Sequence, residues 1–566
     1  MNGAATVIQF LKDKGVNPAF GYPGGSVIVL YDAIFQMNFP HILTRHEQGA
    51  VHAAEGYAKV TGRPGVVFAT SGPGATNLVT GIADAYLDSV PILAITGAVA
   101  RSSIGKDAFQ EADITGITQP ITKYNYLVMS PEDLLPTLEE AWNLTTEGRP
   151  GPVLVNIPKD LFLAEIPECN GKGEGVILHR PPRKAAANRV PRVYEALRKS
   201  KKPLLLVGGG VVISEGGSDA LKQFSEKVGI PVAGTMMAKG VFDERNPNYL
   251  GMVGMHGIPQ ANTAIGKCDL LLSVGCRFSD RIIGNPEKFN TGASRTVIHV
   301  DIDPAEIGKN IRPDIEIEDD ASNFFRCMTE ALPGDDFASQ WTEWREELSE
   351  KAERYAKIRE KLHQLDDRLL PEAVVSAVSK AYEGTNPILV TDVGQQQIFA
   401  AQHFIVESNR SFLTSGGLGT MGTGLPYAIG AAIAAPDRPV ILFVGDGGLQ
   451  MTIQEFGPLQ SLGLNVKVII MDNQQLGMVR QWQELFYGKR YSQTILDNNP
   501  NFIQIADAYG IKGGRATNAT EFTEQIEKMK ENNNPYILHT MLDVKELVYP
   551  MIPAGKNPED MMMPGM

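Results

Sequence analysis

Val440-Ile441-Leu442-Phe443-Val444 runs straight into Gly445-Asp446-Gly447-Gly448, and after an intervening helical stretch Val466-Lys467-Val468-Ile469-Ile470-Met471 runs into Asp472-Asn473. Two short apolar runs, each ending in polar residues, read as buried parallel strands. Asp446 and Asn473 then stand at the carboxyl ends of strands, 27 positions apart. In open α/β sheets that edge holds the ligand. A carboxylate and an amide oxygen suit a hard octahedral cation such as Mg²⁺, which keeps phosphate oxygens and water as its other ligands. Gly445, Gly447 and Gly448 would let backbone N–H groups approach a phosphate beside a helix N-terminus. A generic glycine-rich turn explains the first triplet alone. The pair at this spacing, each member after an apolar strand, favours the cation reading.

The same alternation extends outward along the chain. Further strands are expected at Val66–Thr70, Ile92–Thr96, Val153–Ile157, Leu204–Val207, Leu270–Val274, Val297–Asp301, Ile388–Thr391 and Tyr536–His539. Helical segments lie between them, so the fold class is α/β, with doubly wound parallel sheets. Two polar stretches divide the chain. One runs from about Glu168 to Arg192 and carries Gly171, Gly173, Gly175, Pro181 and Pro182; the other is a charged helical region from Trp341 to Arg368. Both read as linkers. The domains expected are 1–167, 190–335 and 366–545, followed by a tail, 546–566, that either stays irregular or folds over a site.

Composition narrows the function classes. The chain has 566 residues, 43% hydrophobic and 21% charged, with a net charge of −13. That acidic balance disfavours nucleic acid or an anionic membrane as partner. The four cysteines, Cys169, Cys268, Cys276 and Cys327, form no CxxC pair, so neither a zinc site nor a disulfide framework is expected. No apolar run is long enough to span a bilayer, and no signal or transit segment opens the chain. A soluble cytoplasmic protein is the expectation.

Other segments are informative only in company. Glu47, in Arg45-His46-Glu47-Gln48-Gly49, reads equally as a helix-first glutamate favoured by the helix dipole. The run Thr70-Ser71-Gly72-Pro73-Gly74 follows a strand and opens a helix, as any nucleotide-type turn does. Gly208-Gly209-Gly210 after Leu204–Val207 is weak evidence of a dinucleotide. Asp301-Ile302-Asp303-Pro304 is an acidic strand end fit for a ribose or a helix cap.

GDG followed some two dozen residues later by Asn resembles the signature of the thiamine-diphosphate enzymes. Nearly the whole chain resembles the large, catalytic subunits of acetohydroxyacid synthase, also called acetolactate synthase. The segments that carry this likeness include Gly21-Tyr22-Pro23-Gly24-Gly25, Ala108-Phe109-Gln110-Glu111, Gly254-Met255-His256-Gly257, Arg277-Phe278-Ser279-Asp280-Arg281, Leu418-Gly419-Thr420-Met421-Gly422 and Gly477-Met478-Val479-Arg480-Gln481-Trp482.

The resemblance implies three cofactors: thiamine diphosphate, Mg²⁺ and FAD. By it, Asp446, Asn473 and the carbonyl of Gln475 bind the metal. Val393, Gly394, Gln395, Gln396, Gly419, Met421, Gly445, Gly447, Gly448 and Met478 hold the thiamine cofactor, with Met421 keeping it bent. Glu47 faces its pyrimidine ring from a second subunit, so a homodimer or dimer of dimers with shared sites is implied. Gln110 handles the substrate carbonyl or carboxylate, and Phe109 walls that pocket. Lys159 lies near the channel, and Arg277 with Trp482 selects 2-oxobutanoate as second substrate. Arg149, Gly208, Gly209, His256, Gly257, Arg277, Asp301 and Asp303 belong to the flavin region.

The activity implied joins a two-carbon unit from pyruvate to pyruvate or 2-oxobutanoate. The products are 2-acetolactate or 2-aceto-2-hydroxybutanoate, on the way to branched-chain amino acids. A small regulatory subunit is a possible partner. Three positions depart from the family pattern: Gln396 stands where His is common, Gly448 where a hydroxyl residue is usual, and Ser279 where Asp is common. The rival readings are a pyruvate oxidase or a 2-oxo acid decarboxylase on the same fold, a non-catalytic paralogue, and a simple dinucleotide dehydrogenase. No glycine run carries the full dehydrogenase fingerprint.

Overall fold

The structure is a computed structural model that describes residues 1–167, 186–284, 286, 289, 295–553, 555–556 and 560–564. It contains three six-stranded sheets in which every recorded strand pair is parallel. The first holds β1 (Ala19–Gly21), β2 (His41–Leu43), β3 (Gly65–Ala69), β4 (Ile92–Ala98), β5 (Tyr124–Leu127) and β6 (Pro152–Pro158), in the order β2-β1-β3-β4-β6-β5. The second holds β7 (Pro203–Val207), β8 (Val232–Gly234), β9 (Tyr249–Met252), β10 (Leu270–Val274), β11 (Thr296–Asp301) and β12 (Ile315–Glu318), ordered β12-β11-β10-β7-β8-β9. The third holds β13 (Ile388–Thr391), β14 (Phe412–Leu413), β15 (Val440–Gly445), β16 (Val466–Asp472), β17 (Lys512–Ala516) and β18 (Tyr536–Met541), ordered β14-β13-β15-β16-β18-β17.

Each sheet is covered on both faces, and this is why its central strands are apolar throughout. Val66 and Phe68 pack into one core and Val67 and Ala69 into another. Ile441 and Phe443 face one side of the third sheet, while Val440, Leu442 and Val444 face the other. Leu205 and Val207 are separated from Leu204 and Leu206 in the same way. Strand order reverses between β1 and β3, between β7 and β10, and between β13 and β15. Each reversal leaves a crevice at the carboxyl ends of the strands.

The charged region from Trp341 to Arg368 is not a mere linker. Thr342–Leu362 is one helix, and Trp344, Leu348 and Tyr355 are buried along one of its faces. The indole N–H of Trp341 donates to the carbonyl of Ser200, and that of Trp344 to the carbonyl of Pro203. The helix is a wall of the second domain whose outer faces are charged. Of the other expected linker, residues 168–185, with Cys169 and its glycines and prolines, lie outside the described residues. From Ala186 the chain is already helix, Ala186–Lys199, and the Ala186 N–H is held by Asp319. Cys268 and Cys276 are buried free thiols. Among the described residues no helix is long and apolar enough to cross a membrane.

The tail folds back. Val548 and Met551 are buried, the Val548 N–H donates to Gln481 Oε1, and the Ile552 N–H donates to the carbonyl of Met255. Of the last residues, 554, 557–559 and 565–566 are not described.

Candidate active site

The crevice of the third sheet opens into a cavity. Three strand ends build it: Val393-Gly394-Gln395-Gln396 after β13, Gly445 to Gly448 at the end of β15, and Asn473 with Gln475 after β16. Met421, Met478 and Glu546 complete much of the wall. Gly394 has a φ of 151°, a conformation that side chains rarely adopt, and this turns the chain into the helix Gln395–His403.

Asp446 is buried, and its Oδ2 accepts a 2.6 Å hydrogen bond from Asn499 Nδ2. Burial, and then the charge of Asp472, raises its pKa to about 7. Asn473 donates to Gln395 Oε1 at 3.0 Å and accepts the Gln475 N–H at 3.2 Å. The Gln475 side chain is engaged elsewhere, donating to the carbonyl of Val544 at 2.7 Å.

Asp392, directly after β13, was not singled out from the sequence. It is wholly buried and accepts N–H groups from Val393, Gly422 and Gly424, and burial pushes it up to about 6. It thereby fixes the Gly419–Met421 turn against the cavity. It also explains Gly448: a Cβ there would lie 2.6 Å from Asp392 Oδ1, a carboxylate too well anchored to yield. The missing hydroxyl at position 448 follows from this packing.

These residues fit a metal-bound diphosphate. A carboxylate, an amide oxygen and a peptide carbonyl belong to the donor set of Mg²⁺. The buried Asp446 faces the like charge of Asp472 and is hydrogen-bonded by the neutral amide of Asn499. The glycine wall leaves backbone open to a polyanion.

Glu47 lies elsewhere in the same chain. It opens the helix Glu47–Thr61, whose cap is His46, with Nδ1 accepting from the Gln48 N–H. The carboxylate is largely buried, and its Oε2 accepts a 3.0 Å hydrogen bond from Asn77 Nδ2. A Cβ on Gly74 would sit 3.1 Å from its Oε1, so the Thr70–Gly74 turn packs against it. Gln110, with φ of 61°, abuts the same turn: a Cβ on Gly72 would sit 2.8 Å from its carbonyl. Phe109 is 88% exposed, and Lys159, at the start of the helix Lys159–Leu163, is exposed too. Trp482 is half-buried on the helix Gly477–Phe486 and packs against Phe486. None of Glu47, Gln110, Phe109, Lys159, Arg277 and Trp482 lines the cavity of its own chain.

The crevice of the second sheet gathers most of the expected flavin residues. Gly208 follows β7, Arg277 lies just beyond β10, and Asp301 ends β11, on three strands that are direct neighbours. A Cβ on Gly208 would lie 2.1 Å from the Gly275 carbonyl, so part of the glycine run serves close backbone packing. Asp301 is buried, accepts the Asp303 N–H, and is raised by burial to about 6. Arg149 reaches in from the first domain, donating to Glu306 at 2.8 Å and Ser89 Oγ at 2.8 Å, with Asp303 at 3.4 Å. Arg277 donates to the carbonyl of Leu87. His256 and Gly257 follow β9, the edge strand of the same sheet, and the His256 carbonyl accepts from Gln402 on the helix Gln395–His403. Read from its middle outward, the strand order is that of dinucleotide-binding sheets. The glycine run and the buried acid beside it fit such a group.

Residues 1–117 match the N-terminal TPP binding domain of the thiamine pyrophosphate enzymes, 190–328 their central domain, and 392–540 their C-terminal TPP binding domain. The chain is 43% identical to the acetolactate synthase large subunit of Lactococcus lactis, over 99% of this chain and 96% of that one. It is 43% identical to the probable acetolactate synthase large subunit of Methanocaldococcus jannaschii, over 100% and 95%. It is 42% identical to the acetolactate synthase isozyme 2 large subunit of Escherichia coli, over 99% of both. With its three sheets in place and its full length matched, the chain belongs to the acetolactate synthase large subunits of the thiamine pyrophosphate enzymes.

Proposed function

We propose that this chain decarboxylates pyruvate and transfers the remaining two-carbon unit to a second pyruvate or to 2-oxobutanoate, forming 2-acetolactate or 2-aceto-2-hydroxybutanoate. The observation that carries the reading is the convergence of Asp446, Asn473 and Gln475 on one glycine-walled cavity, in a chain matched end to end by acetolactate synthases. Thiamine diphosphate, when bound, supplies the carbon nucleophile and the electron sink for loss of CO₂.

The residues of the chain supply position and charge. Asp446, Asn473 and Gln475 would hold Mg²⁺, and Gly394 to Gln396 with Gly445 to Gly448 would cradle the diphosphate. Met421 and Met478 would pack on the thiazolium side, with Gly419 in the adjoining turn. The Glu47 carboxyl would hold a proton at the pyrimidine N1′. Because Glu47 lies outside the cavity of its own chain, the site is completed by a second copy, which makes the working unit a homodimer or dimer of dimers. Gln110 would orient the substrate carbonyl, with Phe109 and Lys159 lining the approach. The Arg277 guanidinium would take the carboxylate of the second substrate, and the Trp482 indole would meet its extra methyl. The segment from Val544 to Val548, held by Gln475 and Gln481, would keep water out of the cavity. FAD would occupy the crevice of Gly208, Gly209, Asp301 and Asp303, with Arg149 and the loop of His256 and Gly257 at its edges, without net redox change. A cytoplasmic location and a small regulatory subunit complete the reading, the latter supported by the term "large subunit" in the relatives' names.

Product analysis with Mg²⁺, thiamine diphosphate, FAD and pyruvate, with and without 2-oxobutanoate, tests it. Acetolactate, shifting to acetohydroxybutanoate in the mixture, is expected. Acetaldehyde, or acetate with flavin reduction, would overturn it.

A further inference from the structure

Glu455 belongs to the third domain, in the one-turn helix Ile453–Glu455 that continues the helix Asp446–Thr452. It is wholly buried. Its two carboxylate oxygens lie 3.0 and 3.1 Å from the Arg45 amide nitrogen, and the His46 N–H also reaches it. A Cβ on Gly49 would lie 2.4 Å from Glu455 Oε1. The carboxylate is therefore wedged against the first turn of the helix that begins with Glu47. Two residues on, Gly457 takes the Arg45 side chain, whose Nε would lie 2.7 Å from a Cβ there.

A buried carboxylate engaged by backbone amides is a poor stability device, because the desolvation of a charge costs more than a neutral acceptor would. Its geometry has a different use. Glu455 fixes the two peptide groups that immediately precede Glu47, and Asn77 holds the far end of the Glu47 carboxylate. Backbone on one side and side chain on the other then leave Glu47 a single orientation. We propose that Glu455 is a positioning residue for the reaction, acting through Glu47. This rests on the assignment of Glu47 given above.

The test is a double-mutant cycle on the full-length chain with all cofactors. Glu455→Gln keeps one acceptor oxygen and turns the other into an NH₂ that faces N–H donors. It should lower kcat by roughly 10- to 100-fold, the scale of a small misplacement, with the KM for pyruvate and the half-saturating thiamine diphosphate nearly unchanged. Gly49→Ala pushes the same carboxylate away from the other side and should reproduce the loss. Glu455→Asp should restore part of the activity. Hydrogen exchange at the Arg45 and His46 amides should quicken in Glu455→Gln. In a Glu47→Gln background, Glu455→Gln should lower kcat no further. Losses that multiply in the double variant would overturn the proposal. So would wild-type kcat in Glu455→Gln and Gly49→Ala beside an impaired Glu47→Gln. A fully active Glu47→Gln would instead remove the assignment of Glu47, and the proposal with it.

Discussion

The first and third sheets have the same strand order, position for position, yet their crevices are chemically opposite. Where the third sheet places Asp392, Asp446 and Asn473 after β13, β15 and β16, the first places Tyr22, Thr70-Ser71 and Val99 after β1, β3 and β4. One crevice gathers two buried carboxylates, Asp392 and Asp446, beside an amide. The other has Glu47, brought in after β2 and tied to Asn77. On the proposed function, the same topology would thus offer a polyanion-and-metal end and a proton-holding end. The difference lies in two or three residues at each strand terminus, and the fold supplies only their placement.

The sharpest way to break this contrast is to neutralise one acid at each end. Glu47→Gln should cost about 10²- to 10⁴-fold in kcat, the usual scale for a positioned acid or base, while isothermal titration finds thiamine diphosphate and Mg²⁺ still binding. Asp446→Asn should do the reverse, weakening cofactor binding first. If Glu47→Gln abolished binding and Asp446→Asn spared it, the roles of the two crevices would be exchanged.

The two domains are joined by a buried polar junction. The helix Glu47–Thr61 crosses the helix Gly424–Ala434 closely enough that a Cβ on Gly430 would lie 1.9 Å from the Ala53 carbonyl. The Tyr427 hydroxyl lies 3.0 Å from Glu55 Oε2 and 2.6 Å from Asp84 Oδ2. One hydroxyl has one proton, so both contacts hold only if a carboxyl carries a second. Burial raises both Glu55 and Asp84, so one of these two carboxyls carries the second proton. Tyr427→Phe leaves both acids without that partner and should cost about 2–4 kcal/mol. Denaturant unfolding measures it, and an unchanged midpoint would show that the junction holds the domains by packing alone.

The carboxylate crevice also predicts a response to pH. Asp446 titrates near 7 in the metal-free protein, above the range of an unfolded aspartate. A raised carboxyl favours the folded state at low pH, and that contribution is lost as pH rises through about 7. Metal-free protein should therefore melt lower at pH 8 than at pH 6. Glu372 and Glu455 titrate in the same window, so the part that disappears in Asp446→Asn belongs to Asp446. Mg²⁺ must displace that proton, so its affinity should fall roughly tenfold per unit below pH 7. A pH-independent affinity between 5 and 7 would remove Asp446 as the ligand.

Much of this was legible in the sequence, for a physical reason. Strands buried on both faces must be apolar throughout, so β10 and β13 were readable to the residue and β3, β4, β6, β7, β11, β15, β16 and β18 to within two residues at either end. Short edge strands have no such constraint: β14 is two residues, β2 is partly exposed, and β17 reads Lys-Gly-Gly-Arg-Ala. The helix Thr342–Leu362 hid behind its charges because only a narrow stripe of it is buried. In the site, Asp446 and Asn473 announced themselves by standing at strand ends. Asn499, which holds Asp446, sits in an irregular segment with no periodic signal, and Glu455 reads as any helical glutamate until its partner domain is in view.

The smallest expected effect concerns the third crevice, in the sheet of different order. Arg277 lies just past the end of β10, whereas Trp482 stands on a helix that follows the Asn473–Gln475 loop. If both touch the second substrate, a site spanning the two domains chooses between acceptors that differ by one methylene. That difference is worth roughly 1–3 kcal/mol in an apolar pocket. Trp482→Leu should therefore lower the preference for 2-oxobutanoate over pyruvate by about tenfold, measured as the product ratio from a mixture, with total turnover nearly kept. Arg277→Lys should weaken both acceptors together, because the carboxylate it would hold is common to them. A Trp482→Leu enzyme with an unaltered ratio would confine Trp482 to packing against Phe486 and leave selection to the second domain.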